Sequence, residues 1–456
     1  MAIISRCLLR IKSDPLGCLS GAQRVNECFA AAGHVWRDRV LDPANTMSLF
    51  ILQVLHGNTA ISHLRLLSRI DCAASSYCEA RARLPVAGVA AVVEQLSCHA
   101  GRCSEGDSRW LGRRVLISDA TAAQTPDTPA LQKLWPQPSA QKQGCGFPIV
   151  KLLALMDLAT GMILQLTMMC LKVHEMSQLA GPHGALQGGD VLLADRAFCS
   201  FGHLVLLAAM SVDAVFRMHQ RQIVDFTPGR SCRGKSRKQK KYQRGIPSSR
   251  FVKKLGEEDQ IVEWKRPANR PVWMTDSQFA SQPDALLVRE LRYRINDKGM
   301  RSRQVTLVTT LLDPMRYPKH QIARLYGLRW EIETNFRHLK TTMKMEHLKC
   351  QSPDGVTKEL MVFALVYNLI RAAMTRAAQR QAVADANRIS FIDALRWLRC
   401  MLTIVPITPA LELIVNPKRP ERYHPRVKKR RMKEYDLMNK PRPEYTQPAA
   451  DMELGN

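Results

Sequence analysis

Nowhere does this sequence run uncharged and apolar for the roughly 18 residues of a membrane-spanning helix, and nowhere does it place two cysteines in a Cys-x-x-Cys pair. The first absence argues against an integral membrane protein. The opening stretch MAIISRCLLRIK is too short and too quickly charged for a secretory signal, so a cytoplasmic protein with no membrane partner is expected. The 13 cysteines are odd in number and scattered from Cys7 to Cys400 without any Cys/His spacing that builds a zinc site, so they are read as reduced. Aromatic residues are scarce, at 6%, against 46% hydrophobic residues in all, a balance that suits a soluble interior of aliphatic packing. At 456 residues the chain is long enough for two or three structural units.

Acidic residues are also in short supply. The 40 Asp and Glu face 67 Lys and Arg, leaving a formal charge of +27, far beyond what solubility requires. Such an excess points to a polyanionic partner, with nucleic acid the leading candidate. Ribosomal, membrane-surface and heparin-binding proteins share this balance, so the chemistry must decide.

Along the chain, residues 1–110 read as an all-helical N-terminal region. Apolar positions recur at helical spacing through Met47–Leu55 and Val86–Leu96, with breaks at Asn58 and Pro85. Ser75–Ser76 ahead of Tyr77, Glu79, Arg81 and Arg83 predicts a capped, Arg-bearing helix, either an exposed basic face or a DNA contact. From Arg113 the pattern changes to short apolar runs: Val115–Ile117, Ile149–Leu158 and Met162–Cys170, the last two joined by a turn at Thr160–Gly161. A helix-like stretch at Glu175–Leu179, a strand at Val191–Ala194, a helix at Phe201–Met210 and a strand at Val212–Met218 follow. Three strands, helix, strand, helix, strand is the order of a ribonuclease-H-like α/β fold, a mixed sheet with flanking helices.

The expected organisation is a helical DNA-binding domain at 1–110, a catalytic domain at 111–219 and 312–400, and an inserted β-rich domain at 220–311 interrupting it. A C-terminal region at 401–456 completes the chain. The insert carries a basic loop from Arg230 to Arg250 and strand-like pieces at Phe251–Leu255, Ile261–Trp264, Leu286–Tyr293 and Val305–Leu311. Helices are expected at Lys319–Met345 and Lys358–Arg380. The tail carries Lys428, Lys429, Arg430 and Arg431 among prolines, the composition of a mobile segment.

One stretch is unusually informative. Tyr326, Arg329, Glu333 and Lys340 are spaced by near-whole helical turns, so on one helix they fall within about 60° of one another. Arg337 and Lys344 lie on the same stripe, and Ile332, Phe336, Leu339 and Met343 form an apolar stripe beside it. A surface helix laced with ion pairs such as Glu333 with Arg329 or Arg337 would show the same pattern. Two further acids set it apart: Asp119 follows the run Val115–Ile117, and Asp195 follows Val191–Ala194. Each alone suits a turn or helix cap. Three carboxylates converging from two strands and a helix suit magnesium, a hard ion that takes oxygen ligands and completes its shell with phosphate oxygens.

The spacing Tyr-x2-Arg-x3-Glu-x6-Lys, met without a gap by Tyr326, Arg329, Glu333 and Lys340, resembles the signature of the insertion-sequence-four family of DDE transposases. VLISDATAAQTPDT around Asp119, the segment GFPIVKLLALMDLATG, and DVLLADRAF with Asp195 resemble the family's aspartate blocks. With SSYCEARARLP, LVTTLLDP and LYGLRWEIE, the likeness spans roughly residues 45–435.

The resemblance implies catalytic, metal-holding acids at Asp119, Asp195 and Glu333, with two magnesium ions that manganese can replace. It implies DNA contacts from Tyr326, Arg329 and Lys340, and from Arg217, with Arg337 and Lys344 beside them. It implies cut-and-paste transposition: binding to terminal inverted repeats, strand cleavage, and attack of the freed 3′ hydroxyl on target DNA, by a homodimer holding both ends. A hairpin intermediate needs a displaced base, for which Trp330 and Trp273 are stacking candidates or else packing residues. Ala120 departs from the glycine usual after the first aspartate, a strain of roughly 1 kcal/mol if that position needs positive φ. The rivals are a DNA-binding regulator that has lost catalysis and a ribonuclease-H-like nuclease that cuts without joining.

Overall fold

The computed structural model describes residues 21–68, 70–102, 109–231, 245–295, 304–403, 413–417 and 435–446. Most of the expected basic loop and the cationic run Lys428–Arg431 lie outside the described residues.

The N-terminal segment is helical as expected: α1 (Gly21–Ala31), α2 (Pro43–Leu55), α3 (Ala74–Arg83) and α4 (Val86–Arg102). Helix α2 begins where Asp42 accepts a hydrogen bond from the Asn45 amide at 2.7 Å and Pro43 fills the first turn. Ser75 and Ser76 do not cap α3, because the helix already begins at Ala74 and Ala73 occupies the cap position. Arg81 faces inward, donating to the Gln53 side chain at 2.9 Å, while Arg83 stays outside beside Glu79.

These helices share a core with the remainder of the chain. Val25, Phe29, Phe50 and Val54 lie in the same buried cluster as Ile117 and Val150 of the sheet and Leu360 and Phe363 of the long helix α9 (Pro353–Arg380). Buried polar groups bolt the two together. The Lys358 ammonium donates to the carbonyls of Arg81, Ala82 and Leu84 at 3.0, 2.9 and 2.8 Å. The Asn58 side chain donates to Glu359 at 2.6 Å and to the His347 carbonyl at 3.0 Å. Helix α9 is long and apolar enough to cross a membrane by composition, but 72% of its most apolar window is buried within the protein.

Among the described residues nine strands form one mixed, mostly antiparallel sheet in the order β3-β2-β1-β4-β5-β9-β8-β7-β6, with helices, among them α5 (Pro129–Leu134) and α6 (Phe201–Ala209), on its faces. They are β1 (Val115–Gln124), β2 (Ile149–Asp157), β3 (Ile163–Cys170), β4 (Val191–Ala194), β5 (Asp213–Arg217), β6 (Ser248–Gly256), β7 (Asp259–Lys265), β8 (Ala285–Arg294) and β9 (Gln304–Thr309). The hairpin β2–β3 turns at Thr160–Gly161 as expected, and β1, β4 and β5 run parallel. The strands of residues 220–311 continue this sheet. Strand β9 pairs with both β5 and β8, so the ladder is unbroken from one half to the other.

The helix expected over Lys319–Met345 is segmented. It comprises α7 (Lys319–Gly327), a 3-10 turn at Leu328–Trp330, α8 (Glu331–Arg337) and a π turn at His338–Thr342. A 3-10 turn overwinds the helix and a π turn underwinds it. The two departures act in opposite senses on the angular spacing along the stripe. Ile332, Phe336, Leu339 and Met343 are buried as the apolar stripe requires. Lys344 is a correction: it lies past the helix with φ of 65° and runs alongside Gly57, off the charged stripe.

Candidate active site

The register of the parallel strands builds the centre of the site. Ile117, Leu193 and Val215 form one rung across β1, β4 and β5, and all three side chains are buried on the face that also receives α9. Burying each contributes on the order of 1.5–3 kcal/mol, which fixes this rung firmly. Ser118, Ala194 and Phe216 form the next rung. One residue further on stand Asp119, Asp195 and Arg217. Strand alternation returns Asp119 and Arg217 to the face of Ile117 and Val215, while Asp195 lies just past β4 with extended backbone, ahead of the 3-10 turn Arg196–Phe198.

Asp119 was expected at the end of its strand, yet β1 continues to Gln124, with Asp119 opposite Ala154 of β2. The ladder with β4 stops at Ser118, so β1 is open on that side where Asp119 sits. Ala120 lies within β1 and is absent from the positive-φ residues, so the strain foreseen there does not arise.

Across this row lies the segmented helix. The Arg329 guanidinium, 8% exposed at its side chain, reaches Asp119 at 3.1 Å and Glu333 at 3.6 Å. It also faces the rings of Tyr326 and Trp330, at 5.9 and 5.6 Å. Burial opposes the charge of Arg329, but Tyr326, Asp119, Asp195 and Glu333 together more than offset that and raise its pKa. Burial likewise pushes the Asp119 carboxyl above its ordinary range. The Ala120 amide and Arg329 pull it down, while Asp195 and Glu175 push it up.

Arg329 thus bridges Asp119 and Glu333, and the charge of Asp195 is felt by both Arg329 and Asp119. Among the described residues no three His, Cys, Asp or Glu side chains form a ready-made metal group. The donor set nonetheless fits a hard divalent cation. Asp195 keeps a buried oxygen, Oδ1, with no hydrogen-bond partner, and two neighbours hold orphaned buried atoms, Tyr326 Oη and Arg329 Nε. Buried polar atoms without partners are costly, and their gathering here marks a place built for something else to bind.

Lys340, half-buried, lies on the π turn, and Arg337 is exposed on α8. Trp330 is 41% exposed beside Arg329, whereas Trp273 packs with Phe201 and Phe216 against the opposite face of the sheet.

Two residues escaped the reading of the sequence. Tyr293 shares the face of Arg217, because Arg217 pairs with Leu307, Leu307 with Leu291, and Tyr293 lies two residues further along β8. Burial pushes its hydroxyl up to about 12 against the pull of Arg217 and Arg329. Glu175, held by Lys151 at 3.2 Å, is the other, and its charge is felt at Asp119. Alternation along β8 was the only signal for Tyr293, and nothing in the sequence marked Glu175.

Residues 110–369 match the family described as the transposase DDE domain. The chain belongs to that family. A relative, the transposase InsG for insertion sequence element IS4 of Escherichia coli strain K12, is 25% identical over 453 residues, covering 94% of each chain. Both findings agree with the affiliation expected from the Tyr-Arg-Glu-Lys spacing, an insertion-sequence-four DDE transposase. Among solved structures, a chain of the piggyBac transposase synaptic complex with hairpin DNA aligns with 87% of this transposase and 79% of its own length, at a TM-score of 0.43 and 11% identity. That likeness is too slight to carry an argument.

Proposed function

We propose that this transposase binds the terminal inverted repeats of an insertion sequence, cuts DNA at its ends and joins the freed 3′ hydroxyl to target DNA. The observation that supports this reading is that Asp119 and Asp195 each directly follow the last paired rung, Ser118 with Ala194, while Arg329 links Asp119 to Glu333. The strands β3-β2-β1-β4-β5 are read as a ribonuclease-H-like catalytic unit, extended by β9-β8-β7-β6. Asp119, Asp195 and Glu333 would hold two magnesium ions, or manganese in their place. Such ions lower the barrier to in-line phosphoryl displacement by stabilising charge on the attacking and leaving oxygens.

The chain's own residues do the rest. Arg217, Tyr326, Arg329 and Lys340, with Arg337 further out, form a cationic and phenolic border that would grip the phosphates flanking the cut. Lys344, beside Gly57, would meet DNA away from this border. Trp330, exposed beside the acids, is the better placed of the two tryptophans to stack on a displaced base. The helices α1–α4 would read the inverted repeat, two copies would hold both ends, and the work would take place in the cytoplasm.

The test is incubation with a duplex copying the DNA that flanks the coding sequence, with Mg²⁺, watching for excision. Asp119→Asn, Asp195→Asn and Glu333→Gln should each abolish cleavage while the duplex still binds. Cleavage surviving in any one removes that residue from the site, and binding without cleavage by the unaltered protein favours the regulator.

A further inference from the structure

Arg329 stands where a bound cation would be wanted. Its two terminal nitrogens address Asp119 and Glu333, its side chain is 8% exposed, and its remaining nitrogen, Nε, is buried without a partner. Tyr326 Oη, also orphaned, belongs to the ring that the guanidinium faces. A guanidinium carries one charge and cannot leave its proton behind at any working pH. While it remains, it neutralises the acids and repels a divalent ion from their oxygens.

We infer that Arg329 is a positioning residue that holds the acids as a built-in counter-ion in the DNA-free protein and gives them up when a DNA phosphate draws it away. This rests on the reading of Asp119, Asp195 and Glu333 as metal ligands. The carboxylates are kept from mutual repulsion while the protein is free of DNA. An incoming phosphate offers the guanidinium a bidentate partner, which suits its planar fork better than the two separate carboxylates it now spans. Metal loading is therefore conditional on DNA. The same arginine that would grip the transposon end also screens the acids, so a protein without an end in place is poorly charged with metal and does not cut at random.

The consequence is opposite in sign to that of a scaffolding role. Removing a scaffold arginine should weaken metal binding, because the acids would splay apart. Removing a competing cation should strengthen it. The probe is Mn²⁺, followed by electron paramagnetic resonance as free ion is lost, on the full chain with and without the flanking duplex. Unaltered protein should bind Mn²⁺ weakly alone and at least about tenfold more tightly with duplex, the scale expected when one positive charge leaves the neighbourhood of a divalent ion. Arg329→Gln should bind Mn²⁺ alone about tenfold more tightly than the unaltered protein and gain little more from duplex. Arg329→Lys, which keeps the charge, should restore weak binding. Should the Gln variant fail to fold by circular dichroism, Arg329→Met serves the same comparison with a more apolar stem.

Metal affinity of the neutral variant equal to or below that of the unaltered protein, both without DNA, overturns the inference. If no form binds Mn²⁺ even with duplex, or Asp195→Asn binds it as well as the unaltered protein, the metal-ligand reading itself falls and takes the inference with it. The two failures are thus told apart.

Discussion

Replacing Lys358 by Met should loosen the join between the N-terminal helices and α9, and the size of the effect follows from the contacts. Three carbonyls, of Arg81, Ala82 and Leu84, lose their charged donor, and Lys358 itself is 2% exposed. Each buried carbonyl left unpaired costs roughly 1–3 kcal/mol. A cation at the C-terminal end of α3 contributes roughly a further 0.3–1 kcal/mol through the helix dipole. Against this stands the relief of no longer burying an ammonium, whose pKa is lowered chiefly by desolvation. The carbonyl nearest the surface will also recover some hydration. The net expectation is a loss of about 3 kcal/mol, read as a lower urea midpoint with an unchanged slope. Limited proteolysis should cut first near Leu84–Pro85, and end-duplex binding should fall while Mn²⁺ binding in the presence of a saturating duplex persists. A loss under about 1 kcal/mol would refute the reasoning, by showing that ammonium burial cancels its three hydrogen bonds.

Two other outcomes follow from single groups. Tyr326→Phe deletes a buried hydroxyl that has no partner, so thermal unfolding of the free protein should move upward by about 1 kcal/mol of stability while affinity for the end duplex drops; lower stability would mean that the hydroxyl is satisfied. For Asp119 the folded-state pKa lies above its unfolded value, mainly through burial. Its contribution therefore favours folding below the unfolded pKa and is lost as pH rises through the folded one. Asp119→Asn, in chelator, should gain stability relative to the unaltered protein as pH rises above the unfolded aspartate value of about 3.9; a difference that stays constant with pH would show that the carboxyl is not shifted.

Much of the site was legible because its parts are local. Apolar runs ending in an acid mark Asp119 and Asp195, and near-whole helical turns gather Tyr326, Arg329, Glu333 and Lys340. Tyr326, Arg329 and Glu333 do meet in the structure although the helix is broken into segments. What was not legible depends on pairings between distant segments. Tyr293 reaches the site only through the register of β5, β9 and β8, a ladder that joins the strands on either side of residues 220–247. Lys344 was misplaced because a backbone reversal to positive φ follows the π turn, which periodicity does not foresee. The placing of Arg329 between Asp119 and Glu333 is likewise a matter of which charge satisfies which, and spacing alone shows only that they are close.

The shared interior of α1–α4, α9 and the sheet bears on how such a protein can change its target. Where recognition and chemistry sit in separate modules, a new reader can be grafted by recombination at the linker. Here Phe29 and Phe50 interlock with the same packing that supports Ile117, so a transplanted N-terminal segment would bring a mismatched interior with it. With α1–α4 as the proposed reader of the end, new preferences should accumulate by substitutions on their outward-facing positions, leaving the buried seam as it is.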